Sequence, residues 1–311
     1  MLNTKTIPIF LAVDENYLPF LAVTIQSIKE HASATRVYQI HALNSGLAEE
    51  KRKPILDMQT DNIKISFENI ADKAEEIRSV VHCRDYYTNA IYFRLFIPEL
   101  FPQYEKAIYL DCDIVLLDDI ANLYDINIAE NYIGAVADQA VSAVPEFCEY
   151  TKNALGIEPS KYFNSGVIVL NLAKLRSIDF YKIFYGILSS YHFTVAPDQD
   201  CLNLICQDKV YYYGAEWNKM PIDKKIGHPP KLLHYNLVMK PWHYDGIRYE
   251  EHFWFYAKQT VYYESIVAQK NAFTGEMATR DTVSGERLIL LAKSEAENPN
   301  NYARTIGKKV D

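Results

Sequence analysis

Apolar residues follow two rhythms in the first seventy positions. Residues 7–13 (IPIFLAV) form an apolar run of strand length, while residues 18–31 (LPFLAVTIQSIKEH) carry apolar positions at helical spacing. Residues 37–43 predict a second strand. Residues 47–58 suit a helix in which Pro54 is expected at a first turn or a kink, because its ring removes a donor. Residues 62–67 (NIKISF) alternate as a third strand. A strand-helix-strand-helix-strand order predicts a parallel sheet joined by crossover helices.

Further along, the pattern predicts a helix over residues 88–97 and a strand over 107–110, then buried strands over 132–137 and 167–172. Helices are expected over 180–191 and 198–206, and short strands over 209–213 and 232–235. After about Gly246 the texture changes. Residues 249–267 read as one helix crowded with aromatics, Gly275 as a break, and residues 285–297 as a short helix before a polar tail. This divides the chain into a domain over 1–245 and a helical region over 246–311, the latter with a possible acceptor-binding or membrane-proximal role.

Composition changes this picture in a few respects. Thirty-two basic and 40 acidic residues leave a formal charge of -8, which argues against non-specific binding to nucleic acid. Twenty-four tyrosines suit wet, hydrogen-bonding clefts, and equally suit amphipathic packing. The five cysteines (83, 112, 148, 201 and 206) contain no CxxC pair and read as free thiols of a reducing compartment. The first twenty residues lack the pattern of a secretory signal, and no apolar stretch reaches the ~20 residues that span a bilayer. A soluble, cytoplasmic protein is expected.

Candidate chemistry begins at AIYLDCDIVLLDD, residues 107–119, where an apolar run ends abruptly in Asp111-Cys112-Asp113. Buried carboxylates must be paired, hydrogen-bonded or coordinated. In an extended segment, residues i and i+2 project to one side, so both can converge on one cation; hard oxygen ligands select Mg²⁺ or Mn²⁺. The spacing alone is common: about one Asp-x-Asp is expected by chance, and the chain has a second at 198–200. In FLAVDENY, Asp14 and Asn16 can read the polar edge of a base with Tyr17 stacked on its face, or simply cap the following helix. Arg94, alone among apolar neighbours in AIYFRLFI, requires a carboxylate or a phosphate. Asn164-Ser165-Gly166 forms a polar turn before an apolar strand, and Asp198-Gln199-Asp200 opens a helix after Pro197. His234 closes a strand and Lys240 follows in a loop ending in Pro241-Trp242. Taken alone, the first reads as a core histidine and the second as a surface lysine.

Taken in order, LAVDENY, YFRLFI, YLDCDIVLLDD, FNSGVIVLNL, PDQDCLN and HYNLVMKPWH resemble glycosyltransferase family 8, which includes bacterial lipopolysaccharide galactosyl- and glucosyltransferases. The similarity covers roughly residues 7–243. It implies an α/β, GT-A type fold: a mostly parallel, Rossmann-like mixed sheet flanked by helices, with a small helical appendage at the C-terminus. It also implies a retaining hexosyltransferase that uses Mn²⁺ (or Mg²⁺) and moves galactose or glucose from a UDP-sugar to a hydroxyl of a glycan or glycolipid. By the resemblance, Ala12, Asp14, Asn16 and Tyr17 hold the nucleoside. Asp111 and Asp113 flank Cys112 in the donor site and bind the metal together with His234, and Lys240 binds the diphosphate. Arg94, Asn164, Asp198 and Gln199 surround the donor sugar, with Asp138 another acid of that pocket.

One departure stands out. The family commonly has glycine where this chain has Leu237, a side chain that can crowd the diphosphate or divert the loop. The resemblance puts Gln199 near the β-face of the anomeric carbon, and a carboxamide is a feeble nucleophile. A front-face route is therefore expected, in which the leaving phosphate oxygen takes the acceptor's proton, with a hidden nucleophile at Asp198 or Asp200 as the alternative. Rival readings are a UDP-sugar-binding protein without transfer, a metal-dependent sugar-nucleotide pyrophosphatase, and an interaction protein using its aromatic C-terminal helices. Residues 280–311 hold six basic and five acidic side chains, so at most a weak peripheral association with a membrane is expected.

Overall fold

The computed structural model describes residues 6–81 and 89–305, and the three apolar runs at the N-terminus become β1 (Thr6–Ala12), β2 (Val37–Asn44) and β3 (Ile63–Asn69). They continue into β4 (Lys106–Leu110), β5 (Ile114–Leu116), β6 (Ile133–Ala135), β7 (Val167–Asn171), β8 (Val210–Tyr212) and β9 (Leu232–His234). Seven of these form one sheet in the order β3-β2-β1-β4-β7-β6-β8, and β5 pairs with β9 in a separate ribbon. β1 lies parallel to both β2 and β4, whereas β7 runs antiparallel to β4 and β6. The sheet is therefore mixed and mostly parallel, flanked by helices, as expected of a GT-A fold. The central strands β1, β4 and β7 read as apolar runs because both faces are covered, whereas the outer β3 alternates and the edge strand β8 is largely exposed. Within β1, Phe10 packs into one layer while Ile9 and Leu11 pack into the other.

The chain winds outward from β1 through β2 to β3, then returns to β4 on the other side of β1. Strand order reverses between β1 and β4, and their carboxyl ends open the crevice where sheets of this kind take ligands. The helix Leu18–His31 organises that edge. Its apolar stripe enters the core, but Thr24 and Ser27 are buried as well. Thr24 Oγ1 donates to the carbonyls of Cys112 and Ile114 at 2.9 and 2.8 Å, and Ser27 Oγ accepts from Leu116 N at 3.0 Å. One helix thus fixes the backbone of the acidic segment.

Several expectations need correction. The second helix is shorter, Glu49–Leu56, with Pro54 in its last turn, not its first. The start of the helix expected over 88–97 lies outside the described residues, as do Cys83 and the tail from 306; the rest is a 3-10 run, Asn89–Phe96, followed by a short α-turn at Ile97–Leu100. The aromatic stretch is two helices, Glu250–Ala257 and Tyr263–Ala272. Thr260 Oγ1 donates to Ala257 O and accepts from Tyr262 N, a local side-chain bond that competes with the helical ladder and breaks it. Gly275 is no break but the first residue of a helix of 23 residues, Gly275–Glu297; Thr274 caps it by accepting from Met277 N. Gly285 sits inside that helix.

The C-terminal helices dock through aromatic contacts. Phe20 of the first helix stacks on Trp242 with ring centres 3.9 Å apart, and Phe253 and Tyr256 complete this cluster while Phe255 is exposed. Among the described residues, no helix is long and apolar enough to cross a membrane.

Candidate active site

The crevice holds a cavity of about 240 Å³. At the end of β1, Ala12, Asp14 and Tyr17 line it. Asp14 also does the modest job of a cap, its Oδ1 accepting from Tyr17 N at 3.1 Å. Asn16 is different: it is exposed on the turn and does not line the cavity. Burial, with Asp113 and Asp14 nearby, holds the Tyr17 phenol protonated far above its ordinary range.

From the end of β4 come Asp111 and Asp113. Asp111 Oδ1 accepts from Arg94 Nη2 at 2.9 Å and from the Tyr109 hydroxyl at 3.0 Å. Arg94 is buried among carboxylates, two carbonyls and a hydroxyl: Nη1 donates to Ser165 O at 2.6 Å and to Ser165 Oγ at 3.0 Å, and Nε donates to Ile91 O at 3.1 Å and lies 3.3 Å from Asp198 Oδ2. Asp113 is nearly enclosed. Its Oδ2 takes a charge-assisted hydrogen bond from Lys240 Nζ, which also donates to Tyr235 O at 2.6 Å. Burial opposes ionisation of Asp113, yet Lys240 and His234 outweigh it and hold the carboxyl well below the usual range.

His234 arrives from β9, whose pairing with β5 sets it opposite Ile114, directly after Asp113. Its Nε2 lies 3.2 Å from Asp113 Oδ1 and 3.7 Å from Asp111 Oδ2. The three side chains can each offer one ligand atom, all within 4.8 Å of one another. A divalent cation fits this set on two observations. Asp113 Oδ1 is buried and receives no hydrogen bond, an acceptor facing the shared space. Gly166 backs the same space: a Cβ there would strike both Asp111 Oδ2 and His234 Cε1. Two carboxylate oxygens and one imidazole nitrogen suit Mn²⁺, with Mg²⁺ the harder-ligand alternative.

The far wall is a network of amides and acids. Asp138 Oδ1 accepts from the backbone of Ala140 and Val141, and its Oδ2 from Asn164 Nδ2 and Gln199 Nε2, both at 3.1 Å. Gln199 Oε1 accepts from Ser165 N at 2.9 Å. Asp198 lies on the first turn of the helix Pro197–Cys206, where burial pushes its pKa up to about 6 against the pull of Arg94. Asp200, wholly buried, does not line the cavity; the Tyr150 and Tyr162 hydroxyls, which do, donate to its two oxygens at 2.8 and 2.6 Å. Cys112, also in the lining, directs its thiol to Ala12 O at 3.2 Å.

Leu237 lines the cavity with φ of 53°, the left-handed region that glycine enters freely. The leucine takes this glycine-like conformation at a cost of about 1–2 kcal/mol. Sequence reading missed Asn218, Tyr109, Tyr150 and Tyr162. Nothing in AEWNKM marks Asn218, because its meaning lies in distant partners.

The profile described as glycosyl transferase family 8 matches residues 8–246. General stress protein A of Bacillus subtilis is 26% identical over 239 residues, covering 75% of this chain and 81% of that protein. Lipopolysaccharide 1,2-glucosyltransferase of Escherichia coli is 27% identical over 276 residues, covering 79% and 77%. The solved galactosyltransferase LgtC, in complex with donor and acceptor sugar analogues, superposes with a TM-score of 0.70 at 25% identity, covering 82% of this chain and 96% of that one.

Proposed function

Because the chain belongs to glycosyl transferase family 8, we propose that it moves a hexose, galactose or glucose, from a UDP-sugar to a hydroxyl of a glycan or glycolipid, with retention at the anomeric carbon and dependence on a divalent cation. The observation that carries this reading is the convergence of Asp111, Asp113 and His234 on one space at the switch point, with one buried oxygen of Asp113 unbonded. A lipopolysaccharide-type acceptor is favoured by relatives whose names specify lipopolysaccharide, the 1,2-glucosyltransferase above among them.

The donor lies along the crevice from Tyr17 and Asp14 toward Gln199. Asp111, Asp113 and His234 would hold the cation, which when bound would supply Lewis-acid stabilisation of charge on the diphosphate. Lys240, bonded to Asp113 in the same cluster and lining the cavity, adds an ammonium for the phosphate oxygens as charge collects there. Ala12 and Cys112 bound the nucleoside end, while Arg94 keeps Asp111 and Asp198 in place. Asp138 and Asn164 orient the Gln199 amide, and both oxygens of Asp138 are already engaged.

This wall favours a front-face route. Gln199 Oε1 is occupied by the Ser165 N–H, and Asp200 is buried behind two phenols, which leaves neither free to attack an anomeric carbon. Asp198 is the remaining candidate nucleophile. Mass spectrometry during turnover discriminates: a kinetically competent sugar adduct on Asp198, Gln199 or Asp200 would overturn the front-face route.

The experiment for the activity itself incubates pure protein with Mn²⁺ and a panel of UDP-sugars. Slow release of UDP and free hexose from one of them is expected. UMP with hexose phosphate would indicate a pyrophosphatase, binding without turnover a binding module, and indifference to both UDP and metal would end the proposal.

A further inference from the structure

A histidine can ligate a cation through a given ring nitrogen only if the proton of the neutral ring sits on the other one, so the partners of the ring decide which nitrogen is free. Here the answer follows from a chain of partners whose roles are unambiguous. The Gly166 backbone N–H can only donate, and it reaches the Asn164 side chain at 3.1 Å; the atom it meets is therefore the carbonyl Oδ1. The other end of that amide faces a carboxylate oxygen of Asp138 at 3.1 Å, which fits only the NH₂ group. With Asn164 so oriented, the Asn218 group that meets Asn164 Oδ1 at 2.9 Å must be Nδ2. That leaves Asn218 Oδ1 for His234 Nδ1 at 3.0 Å, so Nδ1 carries a proton and donates it. In the neutral ring the lone pair is then on Nε2, directed to the space between Asp111 and Asp113.

Burial reinforces the assignment. Asn218 is wholly buried and His234 nearly so, and no water competes for Nδ1 in an enclosed amide chain. Nε2 lies 3.2 Å from Asp113 Oδ1, yet that oxygen accepts no hydrogen bond.

We propose that Asn218 is the positioning residue of this site: by accepting from Nδ1 it selects the tautomer and ring orientation of His234 that present Nε2 to a divalent cation. The inference rests on the metal-binding reading above and adds to it the residue that decides whether His234 can serve. Outer partners of this kind are worth about 10- to 100-fold in metal affinity.

The test is Mn²⁺ titration of the full chain followed by electron paramagnetic resonance, together with nitrogen NMR of protein labelled at histidine. Asn218→Leu, close in shape, removes the acceptor and leaves Asn164 Oδ1 satisfied by Gly166; affinity should fall about tenfold or more. Asn218→Asp restores the acceptor for Nδ1 while losing the donor to Asn164 Oδ1, so it should recover part of the affinity lost in Asn218→Leu, a rescue that a purely packing role does not predict. In wild type, Nδ1 of His234 should show the pyrrole-type resonance and Nε2 the pyridine-type one. Unchanged Mn²⁺ affinity in a folded Asn218→Leu protein, or the opposite tautomer in wild type, overturns the role of Asn218 alone. Failure of wild type to bind Mn²⁺ overturns the metal reading beneath it.

Discussion

Lys240 places its ammonium on Oδ2 of Asp113, so the residue expected to meet a diphosphate is also the counter-ion of a metal-binding carboxylate. Both side chains are buried, and the bond forms across 127 positions of sequence. A cation entering between Asp111 and Asp113 therefore competes with Lys240 for Asp113, and an incoming diphosphate offers the ammonium a new partner.

Lys240→Met tests this exchange. Losing the ammonium leaves Asp113 buried with an uncompensated charge, which should cost about 3–5 kcal/mol without metal. Added Mn²⁺ should recover most of that loss. Thermal unfolding with and without Mn²⁺ measures both, and the relation between Lys240 and the metal fails if the variant matches wild type in each condition. UDP affinity in the presence of Mn²⁺ should fall as well.

Gly166→Ala probes the floor of the cluster. The added methyl meets Asp111 Oδ2 and His234 Cε1 together, and these two belong to different strands' ends and cannot both yield without opening the set. Mn²⁺ affinity should drop at least about tenfold, as for loss of a supporting contact. Calorimetric titration showing wild-type affinity in this variant would remove the proposed geometry.

Asp200 makes stability depend on pH. Burial pushes its carboxyl from 3.8 up to about 7, against its two phenol donors. Between these values the folded chain keeps a proton that the unfolded chain releases, so the folded state binds more protons. Stability from this group consequently falls as pH rises from about 4 to about 7, by at most about 1.4 kcal/mol per pH unit. Asp200→Asn should flatten that part of the profile. Urea unfolding of both proteins at pH 5 and pH 7 gives the comparison, and parallel slopes would contradict it.

Leu237 allows a purely conformational test. At φ of 53°, a β-branched residue is strained far more than leucine, whereas asparagine tolerates the left-handed region. Leu237→Val should destabilise by about 1–2 kcal/mol, while Leu237→Asn should stay within about 0.5 kcal/mol of wild type. Urea midpoints for the pair report the backbone contribution; equal midpoints would mean that the loop relaxes out of this conformation.

How much was legible along the chain varies with the range of the forces involved. The first three strands and the helix between the first two were readable because period and burial coincide locally. The helix over 249–267 was not, because a single threonine hydroxyl diverted the backbone at 260. Asn16 looked equivalent to its neighbours in FLAVDENY, yet the 3-10 turn that Asp14 caps points it outward. Arg94 demanded an anion from its apolar setting alone; that the anions are Asp111 and Asp198 depended on how three separate elements meet.

Local pattern by itself determined the α/β class and the mostly parallel half of the sheet, since each follows from spacing within a few residues. Tertiary structure alone decided the antiparallel β7, the arrival of His234 beside the two acids, and the amide chain through Asn164 and Asn218 that orients it. The reason is physical: strand periodicity is a property of one segment, but a hydrogen bond between residues 54 positions apart exists only once the sheet has brought them together.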